Sequence, residues 1–167
     1  MDATALRNLQ KPLKDSYRDD PSAAIAPLHA VGTFTDDDIT CTVDTWAGSV
    51  RAGLHPTTGG DGSEACSGDM LLQALVACAG VTFRSVATAM SLDIRNAQVR
   101  ADGAFDARGT LGVDRDTPVG MTDISLTFTF DTDEDDVKID KLLELTERYC
   151  VVARTLAGSA PVEVRRG

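Results

Sequence analysis

Positive charge is what this 167-residue chain has least of: 16 Lys and Arg stand against 26 Asp and Glu, giving a formal net charge of −10. That balance excludes a protein whose work is gripping a phosphate backbone, because such binding needs a basic footprint. An apolar h-region is missing too: Met1 to Asp20 is polar and charged throughout, so no signal peptide is expected and the setting reads as cytoplasmic. Without export, the four cysteines (Cys41, Cys66, Cys78 and Cys150) are expected as reduced thiols and not as a disulfide framework. None of them forms a CxxC motif or clusters with histidine, which removes the usual structural zinc patterns, and no metal or cofactor is expected. The Gly-rich stretch from His55 to Glu64 lacks the Gly-Lys-Ser/Thr of a phosphate loop and the GxGxxG of a dinucleotide site. The longest apolar run, about 14 residues, is shorter than the roughly 20 needed to cross a bilayer, so no membrane span is expected.

What the chain does have is that run itself, within SGDMLLQALVACAGVTFRSVATAM from Ser67 to Met90. Between Met70 and Phe83 only Gln73 and Thr82 are polar, and a helix apolar on every side is expected to be buried. Leu71, Ala74, Leu75, Cys78, Val81, Thr82 and Ser85 share one stripe at helical spacing, with Cys78 at its middle. Ser67 is the candidate N-cap, and Asp69 then falls in the first turn, where a carboxylate suits the positive helix end.

Around this helix the chain reads as an α+β protein of one ordinary domain, residues 28–167, preceded by a polar helical arm over 1–27 that Pro12 should break or bend. Leu28 to Phe34, the turn Thr35 to Asp38 and the alternating segment Ile39 to Asp44 suggest a hairpin, followed by a strand over Ser49 to Leu54. Beyond the central helix, Ile94 to Phe105 and Met121 to Phe130 read as strands, and the polar connection between them leaves room for a short strand at Leu111 to Val113. Ile139, Leu142, Leu143, Thr146 and Cys150 mark the core face of a second long helix, and a last strand is expected over Pro161 to Arg165.

The run GLHPTTGGDGSEACSGDMLLQALVACAGVTFRSVA, with LLELTERYCVVARTLAGSAPVEVR later, resembles the OsmC/Ohr family of thiol-dependent peroxidases, most closely its broader OsmC-like branch. The similarity covers about Leu28 to Arg165; its marks are an acidic residue followed by LL-x-A-L-x-x-C, and a second Cys that begins a short helix. The resemblance implies an intertwined homodimer in which two antiparallel sheets wrap a pair of long central helices, with active sites at the subunit interface. It implies that Cys78 is the peroxidatic cysteine, oxidised to a sulfenic acid by an organic hydroperoxide, and Cys150 the resolving one. A dithiol reductant, often a lipoylated protein, then reopens the disulfide, and the cycle serves oxidative-stress defence.

Elementary chemistry agrees in part. A sulfenic acid needs a second thiol for a reversible cycle, and an apolar lining from Leu71, Leu75, Val81 and Phe83 suits a hydrophobic peroxide. Thiolate activation is the missing piece, since Cys78 is mid-helix and burial raises a thiol pKa. The family's activating arginine, from the N-terminal strand region, has no counterpart, because no Arg or Lys occurs between Arg18 and Arg51. Arg51 is therefore the first candidate, paired with Asp69 or Glu64; His55 is the second, and Arg18 and Arg84 are others. Asp69 precedes Cys78 by nine residues, on the opposite helix face and about 14 Å away, so it either orients an arginine through the dimer or simply favours the helix start. Two further classes of function stay open: an OsmC-like protein that binds an apolar small molecule at the dimer interface, and one in which all four cysteines are core filler. Cys66 matches no role.

Overall fold

The computed structural model describes residues 1–35, 37–158 and 160–166 as a mixed α and β chain. Its contacts divide into two compact units, one formed by residues 1–24, 74–100 and 126 onward, the other by residues 25–73 and 101–125.

The first unit holds the core. Helix α2, Ser67–Ala89, sits where the apolar run placed it and buries Leu75, Ala79, Phe83 and Ala87, one ridge at every fourth residue. Phe83 lies between the rings of Phe128 and Phe130, at centroid distances of 4.7 and 5.3 Å, and burying a side chain of this kind stabilises by roughly 1.5–3 kcal/mol. The expectation of burial on every side is not met, because this unit covers only that ridge: Val81 is 73% exposed. The helix is also longer than the run suggested, and at 23 residues it is long and apolar enough to cross a membrane by length and composition alone. It ends on Ser91, whose left-handed φ of 58° lets the Leu92 N–H reach back to the Ala87 carbonyl at 2.9 Å.

Strands β5 (Arg95–Ala104) and β6 (Thr122–Asp131) form a two-stranded sheet. Along β6, Ile124, Leu126, Phe128 and Phe130 are half-buried while their neighbours are exposed, the alternation that the sequence carries. Helix α4, Asp136–Tyr149, starts on Asp135, whose carboxylate accepts the Lys138 N–H at 2.9 Å, and lays Leu142 and Thr146 into the interior. Helix α5, Val151–Ala157, comes after a break at Cys150. The break corrects the reading of Cys150 as one more residue on the core face of a continuous helix. Helix α1, Ala3–Asp19, runs straight through Pro12. None of its residues is buried, so water can take the carbonyl that Pro12 cannot serve. No strand forms over residues 161–165.

The second unit is a sheet in the order β1-β2-β3-β4, built from Gly32–Thr33, Cys41–Thr45, Gly48–Gly53 and Ala65–Cys66. The first three are antiparallel, with Cys41 opposite Ala52 and Val43 opposite Val50, and β4 adds in parallel to β3. The first strand is shorter than Leu28 to Phe34, and the turn expected at Thr35 to Asp38 lies partly outside the described residues. Gly60 is required where it stands: a Cβ there would lie 1.8 Å from the Leu54 carbonyl oxygen. In place of a strand near Leu111, a short helix, α3 (Ala107–Thr110), is capped by the Asp106 carboxylate.

Candidate active site

The site begins with the break in the helical region. Cys150 has φ −72° and ψ 107°, outside the helical range, yet its N–H still donates to the Thr146 carbonyl at 3.0 Å and its own carbonyl accepts the Arg154 N–H at 2.9 Å. Between those two bonds, the first amides of α5 have no acceptor within their helix. They donate to sulfur instead: Val151 and Val152 to Cys78, Val152 and Ala153 to Cys150.

Cys78, half-buried in mid-α2, and Cys150, 1% exposed, are joined by a hydrogen bond between their side chains. Burial pushes the Cys78 thiol up, but the Val152 N–H, the Cys150 thiol, the Val151 N–H and the Thr82 hydroxyl outweigh it and bring the thiol below its ordinary value. Burial pushes Cys150 up as well, and there the Ala153 N–H is outweighed by burial together with the neighbouring Cys78. The two sulfurs are thus driven apart, Cys78 toward thiolate and Cys150 toward thiol. In that state the Cys150 S–H donates and the Cys78 sulfur accepts.

Thr82 stands one turn beyond Cys78 and donates to the Cys78 carbonyl at 2.8 Å, besides its bond to the sulfur. Reading the sequence for a side-chain cation missed these donors. Backbone amides leave no mark in a sequence, and the one available signal was a lone hydroxyl four residues after Cys78 on an apolar helix.

The other candidates have different surroundings. Arg51 donates to Asp38 at 2.9 Å and pairs with Glu64 at 3.3 Å, beside a cavity of about 260 Å³ that Thr40, Leu54 and Asp61 also line. His55 caps a short turn: its Nδ1 accepts the Thr57 N–H at 3.2 Å, and its ring meets Phe105 edge-on at 5.3 Å. Asp69 is exposed in the first turn of α2. Leu71 is 38% exposed, whereas Leu75 and Phe83 are core residues at 2% and 3%. Arg84 is exposed and donates to the Ile94 carbonyl at 3.2 Å. Cys41 and Cys66 are half-buried free thiols.

The model of the OsmC-like protein family matches residues 60–165. The chain belongs to the OsmC-like family. The match takes in Asp69, Cys78 and Cys150 and leaves Arg51 and His55 outside it. Solved structures share the OsmC-like fold at low identity. An OsmC-like protein from Mycoplasma pneumoniae is 17% identical with a TM-score of 0.64, over 80% of this chain and 89% of that one. An OsmC-like protein of unknown function from Vibrio cholerae is 14% identical with a TM-score of 0.62, over 78% and 94%. An organic hydroperoxide resistance protein OsmC from Legionella pneumophila is 14% identical with a TM-score of 0.57, over 80% and 93%. No curated protein matches the sequence.

Proposed function

We propose that this OsmC-like protein is a thiol peroxidase that reduces organic hydroperoxides, with Cys78 as the nucleophile and Cys150 as the resolving thiol. One observation carries the reading: the two sulfurs are hydrogen-bonded to each other, and Cys78 is the one held below the ordinary thiol value. A thiolate is the species that attacks a peroxide, and a second thiol in contact with it turns the sulfenic acid into a disulfide without a large rearrangement. The name of the Legionella pneumophila neighbour, an organic hydroperoxide resistance protein, points the same way. Four free thiols suit a reducing compartment and reduction by a dithiol, for which a lipoylated protein is the proposed donor.

The working unit is proposed to be a homodimer. Val81, 73% exposed on an otherwise apolar helix, marks a face of α2 that a second copy would cover. Val81→Asp is expected to lower the sedimentation coefficient to that of a monomer, and a wild-type monomer at micromolar concentration would refute the assembly.

The test of function is consumption of cumene hydroperoxide with dihydrolipoamide as reductant, set against hydrogen peroxide. Faster turnover of the organic peroxide, with a Cys78–Cys150 disulfide identified by mass spectrometry, is the expected result. If no peroxide is consumed, the peroxidase reading fails and binding of an apolar ligand takes its place.

A further inference from the structure

A peroxidase cycle built on two thiols needs a proton as well as a nucleophile, and the contact between the sulfurs identifies its source. When the Cys78 thiolate attacks the terminal oxygen of R–O–OH, an S–O bond forms and the O–O bond breaks. Cys78 becomes the sulfenic acid, losing two electrons to the peroxide, and an alkoxide RO⁻ departs. An alkoxide is a strong base, and its departure is fast only if an acid protonates it as it leaves.

We propose that the Cys150 thiol is that acid, so that Cys150 is a catalytic proton donor in the first step before it is the resolving nucleophile in the second. The inference rests on the peroxidase reading above and deepens it. Its basis is geometric. The Cys150 S–H is hydrogen-bonded to the sulfur on which the peroxide must react, and Cys150 is only 1% exposed, so its proton is exchanged with its neighbour in preference to bulk water. Every other donor on the Cys78 sulfur among the described residues is a backbone N–H or a threonine hydroxyl, and none of these gives up its proton as readily as a thiol.

The transfer also prepares the second step. RO⁻ takes the Cys150 proton and leaves as ROH, so Cys150 becomes a thiolate at the moment a thiolate is needed. The Val152 and Ala153 N–H groups already donate to that sulfur and receive its charge. The Cys150 thiolate then attacks the sulfenic sulfur of Cys78, the S–S bond forms, and the displaced hydroxide takes a proton from solvent to become water. One proton transfer thus ends the first step and arms the second.

The experiment is a single-turnover comparison of wild type and Cys150→Ala, following loss of the Cys78 thiolate with tert-butyl hydroperoxide and, separately, with a peracid. A peracid releases a carboxylate, which needs no proton. The ratio of the two rates cancels any change in the amount of thiolate, and the peracid rate also reports whether the site is intact. Loss of a general acid typically costs 10²-fold or more, and Cys150→Ala should lower the alkyl-to-peracid ratio by about that factor. An unchanged ratio, with wild type reacting rapidly with both oxidants, overturns the proton-donor role and leaves the peroxidase reading in place. Wild type inert toward tert-butyl hydroperoxide overturns both.

Discussion

Two clusters of polar side chains hold charge by opposite means. Around Arg51 in the second unit, a guanidinium 39% exposed is met by the carboxylates of Asp38 and Glu64, full charges opposing full charges beside an open cavity. Around Cys78 in the first unit, a half-buried thiol is met by two backbone amides, a hydroxyl and another thiol, none of which carries a full charge. Charges paired near solvent largely cancel, and salt screens what remains. Fixed dipoles in a drier setting cost no side-chain entropy to aim, and the low dielectric strengthens them. The second arrangement is the better one for shifting a titration, and it is there that the thiol is displaced.

The severest challenge to this contrast is Cys78→Ser, which should reduce turnover of an alkyl hydroperoxide by at least about 10³-fold, since a serine hydroxyl is not ionised at neutral pH. Rate measurement at saturating reductant checks it. Val151→Pro is more selective. It deletes one N–H that Cys78 accepts, at a first-turn position where proline fits a helix, and the extended Cys150 before it has the backbone that a following proline requires. A hydrogen bond to a charged group contributes about 1.5–3 kcal/mol, so the Cys78 titration should rise by about one to two pH units, as read from the thiolate absorbance near 240 nm. An unmoved titration would remove the amides from the account.

Smaller effects are expected from pH alone. Carbamidomethylation of the native reduced protein should reach Cys78 first, with a midpoint below the ordinary thiol range, and Cys150 only above it. The stability effects have opposite signs. Cys78 ionises more easily folded than unfolded, so its contribution is present above the unfolded pKa and fades as pH falls through the folded one. Cys150 resists ionisation when folded, so stability is lost as pH rises past the unfolded thiol value. Denaturant midpoints of Cys78→Ala and Cys150→Ala across this range separate the two. Least of all should be Arg51→Ala, expected to change the rate with cumene hydroperoxide by less than about threefold, because two carboxylates already neutralise that charge. A loss of tenfold or more would transfer the activating role back to the guanidinium.

How much of this the sequence disclosed depends on whether side chains or backbone carry the information. The periodicity of α2, the alternation of β6 and the apolar stripe of α4 are side-chain patterns, and each element lies where its pattern placed it. The helix break at Cys150 is a backbone event with no glycine or proline to announce it, and the stripe from Ile139 to Cys150 reads smoothly across it. Pairing of the two cysteines was suggested by resemblance, but the donors that distinguish them were invisible, because an amide of valine differs from no other amide. Burial of α2 was overestimated for a related reason. Composition states that a helix needs cover and is silent on whether its own chain supplies it.

Cys150 is clamped along the main chain at both ends, its N–H held by Thr146 and its carbonyl by Arg154. A residue fixed in this manner can exchange electrons but has little freedom to travel. The oxidised protein should therefore keep nearly the outline of the reduced one and carry its oxidising equivalent without any change of contour. Whatever restores the thiols must recognise the sulfurs themselves, since no refolded segment advertises that they have reacted.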